Sequence, residues 1–206
     1  MNKSLQVLKY LISDFLAAAT AWAIFYIYRK TDIEKVTFTI SDAIYDARFW
    51  TGLAGVSGFW LLFYALTGTY YNIYRKSRLK ELGQTLIFSV IGVIIIFFTL
   101  LLDDYAPSFN TYYFLLFKLL LTHFTLTAGG RLILSSITNS RIRNRKIGFD
   151  TIIIGSNANA FRLFNEMEGQ KKSWGNKFVG FVHVDNRNGH SQELMERVPH
   201  LGEVDQ

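Results

Sequence analysis

Few side chains in this sequence have a type and setting that could do chemistry, and several sit where lipid or protein must surround them. Asp14 interrupts an apolar run over residues 10–28, and Arg131 lies near the end of another over 112–133. Ionisable groups inside such runs are costly, and they mark pairs, relays or pathways. Asp14 and Arg131 fall near the same end of their runs. They can pair across the helices as a packing and registry device, or each can reach interfacial water. Lys118 stands about 9 Å into the last run at 1.5 Å per residue, close enough to snorkel outward. His123 is deeper, where a lone histidine is more often a helix–helix hydrogen bonder than a proton relay. Asp103 and Asp104 are the only adjacent carboxylates. They sit in a short loop with Pro107 and read as solvated. His183, His190 and His200 lack metal-ligand spacing with Asp or Glu, so no metal site is expected. No Ser/His/Asp arrangement or P-loop is present.

A second candidate is the glycine turn GSNANA, residues 155–160. A dinucleotide fingerprint has glycine at its first, third and sixth positions. Gly155 fits the first, and Ala160 is tolerable at the sixth for helix–strand packing. Asn157 puts a side chain at the third, where backbone should approach pyrophosphate. Ser156 lies between them, and Asp185, at the end of the following strand, is a candidate for a ribose hydroxyl. Cofactor binding through Gly155, Ser156, Asn157, Ala160 and Asp185 is therefore weakly supported, and a structural turn fits the residues better.

The elements that must position these groups are mostly apolar helices. Residues 86–102 read LIFSVIGVIIIFFTLLL, without charge or proline, and residues 83–85 complete a span of about 20. Residues 10–28, 49–69 and 112–133 repeat the signal. A cleaved leader is disfavoured for the first run, because Asp14 breaks its apolar core and the run continues past Ala17, Ala18 and Ala19. Gly52, Gly55 and Gly58 in the second run suit close helix packing. Residues 36–40 alternate like a short strand, or Ser41 caps a brief helix reaching Arg48. Tyr70, Tyr71 and Tyr74 lie beside a basic loop and suit an aromatic belt or lipid headgroups. After residue 134 the composition turns ordinary. Residues 149–154 predict a strand, 158–169 a helix and 178–184 a second strand, the opening of a doubly wound sheet. Residues 192–197 predict a helical turn or two, and 201–204 the start of a further element. The expected fold is a four-helix transmembrane bundle over residues 1–134, a basic linker over 135–148, and an incomplete Rossmann-like α/β unit over 149–206. Two strands and a helix are not stable alone. The chain is expected to be a fragment, or its tail to fold with another chain.

Of the 206 residues half are apolar, 18% are charged and none is cysteine. A soluble domain carries about a quarter charged residues. The net charge of +6 reads as orienting cations, not as a nucleic-acid surface. Lys3, Lys9, the cations from Arg75 to Lys80 and those from Arg131 to Lys146 share one side of a four-span protein. By the positive-inside rule that side is cytoplasmic, with both termini on it.

The stretches YRKSRLKEL, RIRNRK, DTIIIGSNANAFRLFNEME, KFVGFVHVD and VPHLGEVDQ, in this order, resemble the amino-terminal region of bacterial polyprenyl glycosylphosphotransferases. The resemblance covers nearly the whole chain. It implies an inner-membrane protein that anchors and regulates an enzyme priming exopolysaccharide synthesis, with the last unit opening a CoA-binding-type domain. It further implies transfer of a sugar phosphate to polyprenyl phosphate, using Mg²⁺ and an Asp-Glu pair of a carboxy-terminal domain. That pair has no counterpart here, so no catalytic residue and no cofactor is assigned to this chain. Implied partners are the bilayer, polyprenyl phosphate and a second copy of the chain. Membrane-bound nucleotide-sugar epimerases and dehydratases share the order of parts, with a glycine-richer turn. A non-catalytic membrane scaffold for polysaccharide assembly is a third possibility.

Overall fold

A computed structural model describes residues 3–71, 73–74, 77–101, 109–183 and 191–203. Arg75, Lys76, Asp103, Asp104, Pro107, Asp185 and His190 lie outside them. The chain divides into two compact units, Asn2–Ser136 and Ile137–Gln206.

The first unit is helical. Helix α1 (Lys3–Tyr28) ends in a π-helical turn, Arg29–Ile33, and is followed by α2 (Ile40–Tyr45), α3 (Ala47–Leu66), α4 (Arg78–Ile96) with a π-helical turn at Phe97–Leu101, and α5 (Phe109–Arg143). Four of these helices are long and apolar enough to cross a membrane. Helix α4 starts two turns before its apolar run because Ser77 caps it, accepting from the Lys80 N–H at 3.2 Å. Helix α5 runs to Arg143, eight residues past the start of the expected linker at 135, because nothing between Arg131 and Arg143 breaks it. Its 35 residues span about 52 Å at 1.5 Å each.

The segment between α1 and α3 settles one ambiguity and corrects another expectation. No strand forms at residues 36–39. The short helix is capped by Thr39, not Ser41, and stops at Tyr45 instead of reaching Arg48. Asp42 accepts from the Thr39 N–H at 2.7 Å, and this capping box satisfies donors that an unpaired strand would leave open. Asp46 caps α3 through the Arg48 N–H at 2.9 Å and accepts from the Tyr26 hydroxyl at 2.6 Å. That hydroxyl first, and the Arg48 N–H second, hold the Asp46 carboxyl below its usual range.

Polarity in this unit is inside out. Leu16, Leu62, Leu66, Ile87, Phe117 and Leu121 are exposed, whereas Asp14, Ser57, Thr85, Ser89, His123, Thr127 and Arg131 are buried. Water would select the reverse. In lipid, apolar side chains face outward, and polar groups must find partners within the protein. Tryptophans fill the helix contacts. A Cβ on Gly52 would run into the Trp22 ring, and one on Gly92 into the Trp60 ring. The expected close packing therefore holds at Gly52 but not at Gly55 or Gly58, where a Cβ would meet nothing within 4 Å.

The second unit begins inside α5, whose end is a Schellman stop. Lys146 N–H bonds Arg141 O at 2.9 Å and Arg145 N–H bonds Ile142 O at 3.0 Å, with Arg145 at φ 57°. The Arg145 guanidinium then binds the Glu168 carboxylate at 2.7 Å. A small parallel sheet of order β1-β2-β3 follows: β1 (Phe149–Ile154), β2 (Asn176–His183) and β3 (His200–Glu203). The connections carry α6 (Ala158–Glu168) and α7 (Gln192–Arg197). Ile153, Ala160, Phe164, Phe181, Leu194 and Val198 form one core, so both helices pack on one face. On β1, Ile152 and Ile154 point the other way and stay exposed.

Gly92→Ala should cost about 1–3 kcal/mol, because the Trp60 ring has no room to give. Gly58→Ala should change stability by no more than about 0.5 kcal/mol. Unfolding of the two variants in detergent micelles checks both values.

Candidate functional site

Asp14, Tyr64, Tyr70 and Thr85 converge on the buried Arg131 and its partner carboxylate. Asp14 lies on the buried stripe of α1, one turn beyond Tyr10 and one turn before Ala17 and Ala18. Arg131 follows Gly129 and Gly130 on α5, and a Cβ on Gly130 would strike the Ser13 hydroxyl of α1. The missing side chain brings the helices close enough for the guanidinium to reach across. Arg131 Nε donates to Asp14 Oδ1 at 2.9 Å and Nη2 donates to Oδ2 at 2.8 Å. This is the bidentate geometry in which an Arg–carboxylate pair is strongest. Both residues are 1% exposed.

Every long helix contributes to this pair. Nη1 donates to Thr85 Oγ1 of α4 at 3.1 Å, and that hydroxyl donates to Glu81 O at 2.7 Å. The guanidinium carbon lies 4.1 Å from the Tyr64 ring centre of α3, within cation–π range. Tyr70, in the turn after α3, donates to Asp14 Oδ2 at 2.8 Å. Burial, then the Asp14 charge, raises the Tyr70 hydroxyl well above its ordinary pKa, so it keeps the proton it donates. The Tyr64 hydroxyl in turn shares a hydrogen bond with His123 Nε2 at 2.9 Å, and the His123 ring stacks on Trp60 with centroids 3.7 Å apart. One turn from Asp14 and Thr85, the Tyr10 hydroxyl bonds the buried Glu81.

This arrangement ties α1, α3, α4 and α5 to one another through a single guanidinium. Each end of the Arg131–Asp14 pair is bonded by the other and by a hydroxyl, Thr85 on the guanidinium and Tyr70 on the carboxylate. The sequence suits Tyr70 to an aromatic belt or to lipid headgroups. Tyr70 faces inward, while Tyr71 is 72% exposed. Thr85 and Tyr64 carry no motif that would single them out; only the four-residue spacing of Glu81 and Thr85, just before the apolar run, hints at a shared helix face. Lys118 holds its ammonium over the Tyr28 ring, 2.9 Å from the centroid.

The glycine turn is occupied by its own side chains. Gly155, at φ +121°, lets the chain leave β1, and its N–H bonds Val182 O at 2.8 Å. Asn157 is the N-cap of α6, its Oδ1 accepting from the Ala160 N–H at 3.1 Å. A pyrophosphate would need helix N-terminal donors of this kind. Ser156 is buried with its hydroxyl 2.5 Å from His183 Nδ1. The structure thus brings Gly155, Ser156, Asn157 and Ala160 together, and Asp185 lies outside the described residues. Among the described residues no group of three or more His, Cys, Asp or Glu is placed to hold a metal ion.

Asp14→Ala or Arg131→Ala should each cost about 3–5 kcal/mol, because each strands a buried partner. The joint change Asp14→Leu with Arg131→Met should lose less than either single change, since neither charge remains. A double-mutant cycle on unfolding in micelles measures the difference.

No protein-family model matches this chain, and no curated protein matches it in sequence.

Proposed function

We propose that this chain is the membrane-anchoring and regulatory region of a polyprenyl-phosphate sugar-phosphate transferase that primes exopolysaccharide synthesis. The observation that carries this is a combination. Four apolar helices are clamped by one buried ion pair, and a parallel α/β unit follows whose phosphate-side turn is capped by its own Asn157. Such a chain fixes the position of a reaction at a membrane and need not perform it. The spans sit in the bacterial inner membrane with residues 3 and 203 on the cytoplasmic side, where Lys3, Lys9, Arg78, Lys80, Arg141, Arg143 and Lys146 collect. The α/β unit is read as Rossmann-like and as an assembly or sensing module. Mg²⁺ and the reacting carboxylates are assigned to none of the described residues. Polyprenyl phosphate and a second copy are the partners expected. The epimerase or dehydratase alternative needs an open dinucleotide turn, and Asn157 counts against it.

The purified chain in vesicles should not transfer sugar phosphate from a nucleotide sugar to polyprenyl phosphate, and calorimetry should detect no micromolar binding of NAD⁺ or coenzyme A. Reporter fusions should place residue 41 outside and residue 203 inside the cell. Turnover by the chain alone, micromolar cofactor binding, or an external residue 203 would each overturn the assignment.

A further inference from the structure

The segment between α1 and α3 sorts its apolar side chains into two sets. Phe38 and Ala43 turn inward: Phe38 meets the Tyr26 ring edge-on at 5.9 Å and Ala43 is buried. Val36, Ile40, Ile44, Tyr45 and Trp50 turn outward, with Ile40 71%, Ile44 56% and Tyr45 90% exposed. Ile40 and Ile44 are one turn apart on α2 and so share a face. The Trp50 indole N–H donates to Ile44 O at 2.8 Å, which fixes its ring beside that face. The carboxylates nearest this patch are engaged within the chain, Asp42 by Thr39 and Asp46 by Tyr26 and the Arg48 N–H. An exposed patch of this kind marks an interaction surface.

Its occupant follows from continuity and composition. Trp50 lies in the first turn of α3, so the patch runs directly into the outward apolar side of a spanning helix, as at Leu62. Aliphatic side chains with a tryptophan and a tyrosine match the boundary between headgroups and acyl chains, which takes up apolar surface and still solvates an indole or phenol. Lys35 precedes the patch in sequence and Arg48 lies within it, and both are exposed cations that suit lipid phosphates. We infer that residues 36–50 lie in the lipid interface, with Ile40 and Ile44 dipping toward the acyl chains. The loop thereby fixes how deep α1 and α3 sit, through the Tyr26–Asp46 bond that ties it to α1. This rests on the membrane assignment of α1 and α3.

The protein contains no cysteine, so single labelling sites are clean. Ile40→Cys, Ile44→Cys, Ser41→Cys and Leu62→Cys would each carry a nitroxide in phosphatidylethanolamine–phosphatidylglycerol vesicles. Accessibility to oxygen and to a nickel chelate is then read at each site. Positions 40 and 44 are more than half exposed, so the core is left intact. The oxygen-to-nickel ratio at 40 and 44 should exceed that at 41 several-fold and fall below that at 62. Ratios at 40 and 44 equal to that at 41, with 62 still oxygen-rich, would overturn the interfacial placement and leave the spans in lipid. Shelter from both reagents at 44 would mean a protein contact and would also overturn it. A nickel-accessible label at 62 would remove the membrane assignment and this inference together.

Discussion

An arginine between apolar helices dictates the arrangement of everything near it. At the centre of a spanning helix an arginine costs roughly 3 kcal/mol on translocation scales, and more on others; Arg131 lies near the end of its run but is 1% exposed. Such a charge is tolerable when a carboxylate and hydroxyls meet its donors. Arg131 meets Asp14 with two donors and Thr85 with a third, under a Tyr64 ring. Two helices that carry these residues 117 positions apart in sequence are thus forced into one rotation and one depth. Neither can slide by a turn without stranding a charge. Lipid offers little drive for helices to associate, because acyl chains are as apolar as leucine. The buried pair supplies specificity that apolar contact alone would not.

The rest of the helical unit is built to let that pair form. Glycines stand where bulk would hold helices apart: Gly130 against Ser13, Gly52 against Trp22 and Gly92 against Trp60. Trp60 in turn carries His123, and His123 carries Tyr64, whose ring covers the guanidinium. Tight packing, aromatic stacking and the ion pair form one connected set across the four long helices. Gly55 and Gly58 take no part in it, since they face away from the other helices.

The second unit obeys a different economy. Its sheet is parallel, and parallel sheets are stable when both faces are covered. The cores of α6 and α7 cover one face, while Ile152 and Ile154 remain open on the other. At its glycine turn Gly155 takes φ +121° and Asn157 caps α6 through the Ala160 N–H.

Four long helices, the helix after the glycine turn, a short helix at 192–197 and two of the three strands were legible in the sequence, because long apolar runs, helical spacing and short apolar stretches report burial directly. Residue types also named Asp14 and Arg131 as the charges to explain. What the sequence left undecided depended on contacts between distant segments. Whether a charge pairs or reaches water, whether Tyr70 faces lipid or protein, and which glycine receives a tryptophan follow from helix rotation. Rotation is fixed only when all four helices meet. The cap at Thr39 and the run of α5 to Arg143 were missed for a local reason. A capping box competes with strand alternation over the same few residues, and a polar helix shows no apolar period. Sequence alone therefore determined the medium and the order of the elements. Tertiary structure decided which polar groups found each other, because hydrogen bonds in an apolar interior are set by geometry that no single segment contains.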